Sequence, residues 1–95
     1  MNIKRVFKYA FAIITDDFVI PMPEGAQILM VQMQGENPCI WSLVDATKPE
    51  SIRKFRVAGT GHQISMDENS EYIYINTFQM LEGALVFHLF ERIEK

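Results

Sequence analysis

Hydrophobic and polar residues alternate along much of this chain, and turn residues interrupt the alternation about every 8–15 positions, a spacing typical of a β-sandwich or barrel. In the clearest case, Phe55 and Val57 share one face of a segment, and Lys54 and Arg56 share the other. Side chains of a strand point alternately to its two faces, so a period of two indicates a strand with one buried face. Arg56 is therefore predicted to point away from the core.

Seven stretches show such a strand pattern, and short turns such as Glu82–Gly83 join several of them. Strands joined by short turns run antiparallel. The predicted strands cover Ile3–Phe11, Phe18–Ile20, Gln27–Gln34, Cys39–Val44, Arg53–Ala58, Tyr72–Phe78 and Ala84–Phe90. The prediction is an all-β fold, a single small antiparallel β-sandwich or barrel of about seven strands, in one domain covering residues 1–95.

The same pattern predicts details of individual strands. The run Cys39–Val44 is apolar at nearly every position, which predicts a central strand covered on both faces. In Gln27–Gln34, strict alternation puts Leu29 and Val31 on the same face. The polar connection Ala46–Ser51 is the one place where a short helical turn is expected.

Composition narrows the classes of function. The formal net charge is −3, whereas a protein that grips a long nucleic acid normally has a basic excess that neutralises phosphates. Cys39 is the only cysteine, so no intramolecular disulfide can form, which is unusual for a small secreted domain. No apolar run approaches the roughly 18 residues of a membrane helix, and the charged N-terminal residues do not fit a signal peptide. We expect a cytoplasmic protein that binds neither a long nucleic acid nor a membrane.

The most informative loop consists of Gly59, Thr60, Gly61 and His62. Its two glycines permit positive φ, so that successive backbone N–H groups can point at one spot and form an anion-binding nest. The threonine would add a hydroxyl, the histidine a ring donor, and Arg56 a guanidinium fork, a set that suits a phosphate. The alternative is a tight surface turn that needs glycine only for its geometry. The loop is not a P-loop, since no Gly-Lys-Ser/Thr follows.

Aromatic residues are numerous, with seven Phe, three Tyr and one Trp. Trp41 lies in the apolar run Cys39–Val44, where it is either a core anchor or a platform for a planar ligand. Tyr72, Tyr74 and Phe78 fall on one predicted face of a strand, which either stacks bases or belongs to the core of the sandwich. The surplus of aromatic side chains in so short a chain favours a ligand pocket or a subunit interface.

Residues that suit catalysis or metal binding are sparse. Two histidines and one cysteine are too few obvious ligands for a His/Cys zinc site. General acid–base catalysis needs a positioned pair of groups, and no pair stands out. His88, beside Val86 and Phe90 on one strand face, is interpreted as a hydrogen-bonded interior or interface residue. We therefore predict no enzymatic activity, no catalytic residues, no metal site and no cofactor.

Several blocks of the chain, taken together and in this order, resemble a family of small phage and bacterial proteins. The blocks are Met22–Gln32, Cys39–Asp45, Arg53–His62, Tyr74–Gln79 and Gly83–Phe90. The family resembles one that includes phage anti-CBASS sponge proteins, which sequester cyclic-nucleotide signals of bacterial immune enzymes so that the downstream effector is not triggered. The resemblance implies a cyclic dinucleotide or a related nucleotide signal as the ligand, bound without cleavage. It supplies no ligand contacts, so the site residues come from the chemistry of the residues themselves.

A cyclic dinucleotide offers phosphates, which suit a glycine-rich loop with an arginine, and flat bases, which suit exposed aromatic rings. A monomer of this size has little room to enclose such a ligand, which favours a site between the subunits of a homo-oligomer. The predicted ligand-binding residues are Trp41, Arg56, Gly59, Thr60, Gly61, His62, Tyr74 and Phe78. The alternative function is a small β protein-binding module, an inhibitor or accessory subunit that acts on a host protein.

Overall fold

The computed structural model describes residues 3–14 and 17–95. In these ranges the chain forms seven strands and one 3-10 turn, Leu81–Gly83. The strands are β1 (Arg5–Ala10), β2 (Phe18–Pro23), β3 (Gln27–Gln34), β4 (Asn37–Val44), β5 (Glu50–Gly59), β6 (Ser70–Met80) and β7 (Leu85–Glu94). The predicted all-β fold of about seven strands is confirmed. No helix in the described ranges is long and apolar enough to cross a membrane.

The strands form two antiparallel sheets. One sheet has the order β1-β4-β3, and the other has the order β2-β5-β7-β6. Strands β3 and β4 pair as one hairpin, and β6 and β7 as another, whereas the connections that follow β1, β2 and β4 cross from one sheet to the other. Neither sheet is therefore formed from one continuous stretch of sequence, as expected for a sandwich.

The hydrophobic core lies between the two sheets. Phe55 on β5, Ile40 on β4 and Leu89 on β7 are all completely buried, so both sheets contribute to one cluster. Val57 lies on the same face of β5 as Phe55 and is also buried, which confirms the inward face predicted for this strand. The side chains on the opposite, outward face of β5 and β7 are not part of this core and can be polar.

Arg53, on the inward side of β5, fastens one end of the sandwich. Its Nε lies 2.5 Å from Glu91 Oε2 and its Nη2 lies 3.0 Å from Glu91 Oε1, a bidentate ion pair. Its Nη1 also donates to the carbonyl of Ala26 at 2.8 Å, in the turn that carries the chain from β2 to β3. One guanidinium thus ties a strand of the four-stranded sheet to a connection with the other sheet.

Strand β4 differs from its prediction. Its inward residues Ile40 and Val44 are buried, but Trp41 on the opposite face is only half-buried. Val6 and Met30, its neighbours on the outward side of β1 and β3, are 56% and 38% exposed. The prediction that this strand is covered on both faces is wrong, because no further layer of the described residues lies over the outward face of the three-stranded sheet.

Two further sequence-based predictions are corrected. The register of β3 against β4 shifts at Leu29, which is 46% exposed, whereas Val31 is buried, so the two residues do not share one face. A bulge of this kind adds an unpaired residue and breaks the period-two pattern. The single helical turn is at Leu81–Gly83 and not in Ala46–Ser51, the end of which already belongs to β5.

Candidate ligand-binding site

The connection between β5 and β6 begins with a tight turn. Gly61 has a φ of +80°, and the N–H of His62 donates to the carbonyl of Gly59 at 3.1 Å. A positive φ at the third residue is characteristic of a type II turn, which requires glycine there. The N–H of Thr60 donates to the carbonyl of Val86 at 3.2 Å. Two amides of the proposed anion nest are therefore used within the protein, which favours the surface-turn interpretation for the backbone.

A chain of hydrogen bonds extends from this turn over the outward face of the four-stranded sheet. Thr60 Oγ1 lies 2.7 Å from His88 Nε2, Thr77 Oγ1 lies 2.8 Å from His88 Nδ1, and Tyr74 Oη lies 2.6 Å from Thr77 Oγ1. The hydroxyl of Thr60 donates to the Val86 carbonyl at 3.4 Å, so its oxygen is free to accept from His88 Nε2. In a neutral imidazole Nδ1 then accepts from Thr77, which in turn accepts from Tyr74. We call these four side chains, Thr60, His88, Thr77 and Tyr74, the hydroxyl–histidine row.

The register of the sheet explains why these residues meet. His88 on β7 is paired with Thr77 on β6, and two residues further along β7, Phe90 is paired with Arg56 on one side and Tyr74 on the other. Residues two apart on a strand point to the same face, so these side chains share the outward face. The rings of Tyr74 and Phe90 meet edge to face, with centroids 5.8 Å apart. An aromatic pair therefore lies beside the hydroxyl–histidine row.

Arg56 is on the predicted outward face but is not free. The whole residue is only 9% exposed. Its guanidinium forms an ion pair with Asp17, donates to the carbonyl of Ser65 at 2.8 Å, and lies 5.4 Å from the centroid of the Tyr72 ring. The second carboxylate oxygen of Asp17 lies 2.5 Å from Nη1 of Arg92. The interpretation of Arg56 as an uncommitted donor is therefore corrected, because a carboxylate and a carbonyl of the same chain already accept its hydrogen bonds.

The two arginines also fasten the long connection between β5 and β6 to the sheet. Arg92 donates from Nη2 to Asp67 at 2.8 Å and from Nε to Ser70 Oγ at 2.9 Å. Burial disfavours the charged form of Asp17, but hydrogen bonds from Arg56 and Arg92 outweigh that effect and lower the pKa of its carboxyl group. A backbone N–H bond lowers the pKa of Asp67, and Arg92 adds to this. The outward face therefore carries two arginines and two ionised carboxylates.

The concave surface around the turn is shallow. One cavity of about 260 Å³ is lined by Thr60, His62, Val86 and neighbouring residues, and a second of about 150 Å³ lies on another side of His62. Pockets that enclose small molecules usually measure about 300–1,000 Å³. Within 3–14 and 17–95, no group of three or more His, Cys, Asp and Glu side chains is placed to hold a metal ion.

Comparison with protein families matches residues 2–95 to the family described as "Domain of unknown function (DUF7352)". The chain belongs to the DUF7352 family. Searches of curated proteins and of solved structures gave no significant match. The family's description states no activity and gives no link to phages or to anti-CBASS proteins, so the function of this DUF7352 chain is argued from its site.

The residues predicted as ligand-binding fall in four places in the DUF7352 fold. The outward face of the four-stranded sheet and the turn at its rim hold Arg56, Gly59, Thr60, Gly61 and Tyr74. The ring of His62 lies on the inward side, against Gly59 and beside a cavity lined by Val57 and Phe87. Phe78 is 5% exposed and belongs to the core, so it is not available to stack a base. The prediction that it shares a face with Tyr72 and Tyr74 is wrong, because the register of β6 shifts between Tyr74 and Asn76. Trp41 lies on the outward face of the other sheet, and its Nε1 is buried without a hydrogen-bond partner among the described residues. The structure thus brings five of the eight residues to one side and leaves three elsewhere.

The sequence patterns alone do not identify the residues that hydrogen-bond the other side chains of this site into place. His88 was interpreted as hydrogen-bonded, which is confirmed, but its partners were not predicted. Period two puts Phe90 and Arg92 on the same face of β7 as His88, and this signal was available in the sequence. No local pattern indicates that Asp17, 39 positions before Arg56, is the partner of that arginine.

Proposed function

We propose that this DUF7352 chain is a non-enzymatic binding protein, a phage-type anti-defence sponge that sequesters a cyclic dinucleotide or related nucleotide signal in the host cytoplasm. The observation that carries the proposal is the juxtaposition on one sheet face of Arg56, the hydroxyl–histidine row and the Tyr74–Phe90 pair. The family resemblance motivates the choice of a nucleotide over other small anions.

The chemistry of this face matches the parts of such a ligand. Guanidinium groups bind phosphates through charge-assisted, often bidentate hydrogen bonds. Tyr74 is 54% exposed, and its ring, packed against Phe90, offers a surface on which a base can stack. Thr60 is exposed at the other end of the row, where its oxygen can accept a hydrogen bond from a sugar hydroxyl. Thr60 Oγ1 lies within hydrogen-bond distance of His88 Nε2, but its hydroxyl is donated to the Val86 carbonyl and not to the histidine, which favours binding over cleavage.

A homo-oligomer is part of the proposal, because the face is open. The cavities beside the turn, of about 260 and 150 Å³, are too small to enclose a dinucleotide within one subunit. A second copy placed over the same face would supply another aromatic pair and another set of donors. The ligand would then be buried between two subunits.

The decisive experiment measures the melting temperature of the purified protein with a panel of cyclic dinucleotides and trinucleotides. A ligand at about 100 times its Kd stabilises the native state by about 2.7 kcal/mol, which corresponds to roughly 10–20 °C for a domain of this size. The same nucleotide should be recovered intact after the protein is denatured. Thr60→Val should reduce the shift, whereas Thr47→Val, another exposed hydrogen-bonded threonine in the β4–β5 connection, should not. A panel that gives no shift, or a nucleotide recovered cleaved, contradicts the proposal.

The second candidate function, a small β module that binds a host protein, is favoured by the outward face of the three-stranded sheet. Trp41 lies at its centre, between Met30 on β3 and Lys8 on β1, and the exposed apolar side chain of Val6 lies one pair further along β1. Tryptophan is among the residues most enriched at the energetic centre of protein interfaces. Under this alternative, Trp41→Ala abolishes capture of a specific host protein while Thr60→Val does not, and no nucleotide alters the melting temperature.

A further inference from the structure

Two arginines on the outward face of the four-stranded sheet share one carboxylate. One oxygen of Asp17 pairs with Nε of Arg56, and the other lies 2.5 Å from Nη1 of Arg92. The side chains of the two arginines are 10% and 21% exposed, and that of Asp17 is 20% exposed. The carboxylate therefore occupies the point toward which two guanidinium groups converge.

We propose that Arg56 and Arg92 form a binding site for a phosphate group, and that Asp17 occupies this site in the free protein and must be displaced when the phosphate binds. A carboxylate and a phosphate present the same feature to guanidinium groups, namely oxygens spaced to accept two parallel hydrogen bonds. Asp17 is thus an internal competitor for the ligand.

The placement of Asp17 in the chain makes its carboxylate exchangeable. The pairing of β2 with β5 begins at Phe18, so no ladder hydrogen bond holds the backbone of Asp17. The contrast is the Arg53–Glu91 pair, in which the glutamate lies within β7 and is paired on both sides in the sheet. The first pair can open by moving one side chain at the start of an edge strand, whereas the Glu91 side chain is only 11% exposed and its backbone is fixed by both neighbouring strands.

The charge at this place also suits an anion. Arg56 and Arg92 are balanced by Asp17 and by Asp67, which pairs with Arg92. When the Asp17 carboxylate leaves, the cluster has a net charge of +1, and a phosphodiester group, which carries one negative charge, restores neutrality. Tyr72, under the Arg56 guanidinium, provides an aromatic surface beside the phosphate position.

This inference takes from the proposed function only that the ligand carries phosphate. It adds that the affinity for the ligand is set by competition with Asp17. It also explains how Arg56 can be buried and ion-paired in the free protein and still contribute to the binding of a nucleotide.

The test uses inorganic pyrophosphate as the probe, with calorimetric titration at constant ionic strength into the parent, Asp17→Asn and Glu94→Gln. Glu94→Gln is the matched control, since Glu94 pairs with Lys54 and the substitution changes the net charge by the same amount. Asp17→Asn should bind pyrophosphate about tenfold more tightly than Glu94→Gln does, the size expected when one charge-assisted hydrogen bond no longer has to be broken. Equal affinities of the two variants overturn the inference.

Asp17→Asn leaves Arg56 without a charged partner, so a second measurement on the parent covers the case in which the variant does not fold. The Nε–H resonances of Arg56, Arg92 and Arg53 are followed by NMR while pyrophosphate is added. The first two should shift together with one dissociation constant, and Arg53, held by Glu91, should not. No shift at any of the three, or equal shifts at all three, overturns the inference.

Titration of the parent and of Asp17→Asn, with pyrophosphate and with cyclic nucleotides, distinguishes this inference from the nucleotide proposal. If Asp17→Asn binds pyrophosphate more tightly but no cyclic nucleotide binds either protein, the phosphate site stands and the sponge function fails. If cyclic nucleotides bind both proteins with equal affinity and the Arg56 and Arg92 resonances do not respond, the sponge function stands and the competition by Asp17 is refuted.

Discussion

Replacement of Arg53 by methionine tests how much the buried ion pair between β5 and β7, together with the bond to the Ala26 carbonyl, stabilises this end of the sandwich. The substitution keeps the apolar stem but removes the two bonds to Glu91 and the bond to the Ala26 carbonyl. Glu91, whose side chain is 11% exposed, is then left as a buried carboxylate without its partner. Loss of one member of a fully buried pair costs about 3–5 kcal/mol, and the 21% exposure of the Arg53 side chain reduces this to roughly 2–4 kcal/mol.

The assay is urea unfolding at neutral pH, with Lys54→Met as the control. Lys54 is the next residue on the same strand and loses the same charge, but its partner Glu94 is 61% exposed. For a domain of this size, a loss of about 2–4 kcal/mol lowers Tm by roughly 10–30 °C, whereas the control should lose little. The double substitution Arg53→Met with Glu91→Leu should recover much of the loss, because it removes the unpaired charge. Equal losses for the Arg53 and Lys54 variants would show that the buried pair contributes no more to stability than an exposed one.

Three further outcomes are expected. The pKa of Asp17 is lower in the folded protein than in the unfolded chain, so its stabilising contribution is complete above about pH 4 and is lost as the pH falls below that value. Urea unfolding between pH 7 and pH 3 should therefore show a steeper loss for the parent than for Asp17→Asn. Gly61→Ala should cost about 1–2 kcal/mol through its positive φ alone, since no atom lies within 4 Å of the added carbon, and Glu24→Ala in an exposed turn serves as the baseline. Trp41→Ala should leave nucleotide binding unchanged in calorimetry, and a loss of nucleotide affinity would move the site to the other sheet.

The strand pattern of the sequence predicts the fold well where one face of a strand meets the core. Phe55 and Val57 are buried and Arg56 faces outward, because the period of two reflects a single buried side. The pattern misleads at Leu29, where one bulged residue changes the phase of the strand. A bulge depends on the fit between two strands, and no property of residues 27–34 alone reports it.

The apolar run in β4 shows a different kind of limit. A continuous apolar strand normally has cover on both sides, and Trp41 was expected to be in the core or in a ligand site. The strand is central in its sheet, but its outward face is open in the single chain. An apolar run predicts a strand, but it does not report how many layers of the same chain pack over it.

The sequence predicts only part of the candidate site, because some of its residues are brought together by contacts between distant segments. The loop from Gly59 to His62 and the outward position of Arg56 follow from local sequence, and the structure places them close to Tyr74. The contribution of His88 depends on which residue of β6 faces it across the sheet, and the contribution of Asp17 depends on contact between distant segments. Such pairings are set by register and topology, which single-sequence patterns do not contain.

The central claim is that a nucleotide binds on the outward face of the four-stranded sheet. The most direct measurement is a calorimetric titration of three proteins, the parent, Thr60→Val and Trp41→Phe. The ligand is the nucleotide of the panel that raises the melting temperature of the parent most. Our account predicts that Thr60→Val binds about tenfold more weakly than the parent, through the loss of one hydrogen bond to the ligand, and that Trp41→Phe binds as the parent does. Unchanged affinity in Thr60→Val together with weaker binding in Trp41→Phe would contradict it.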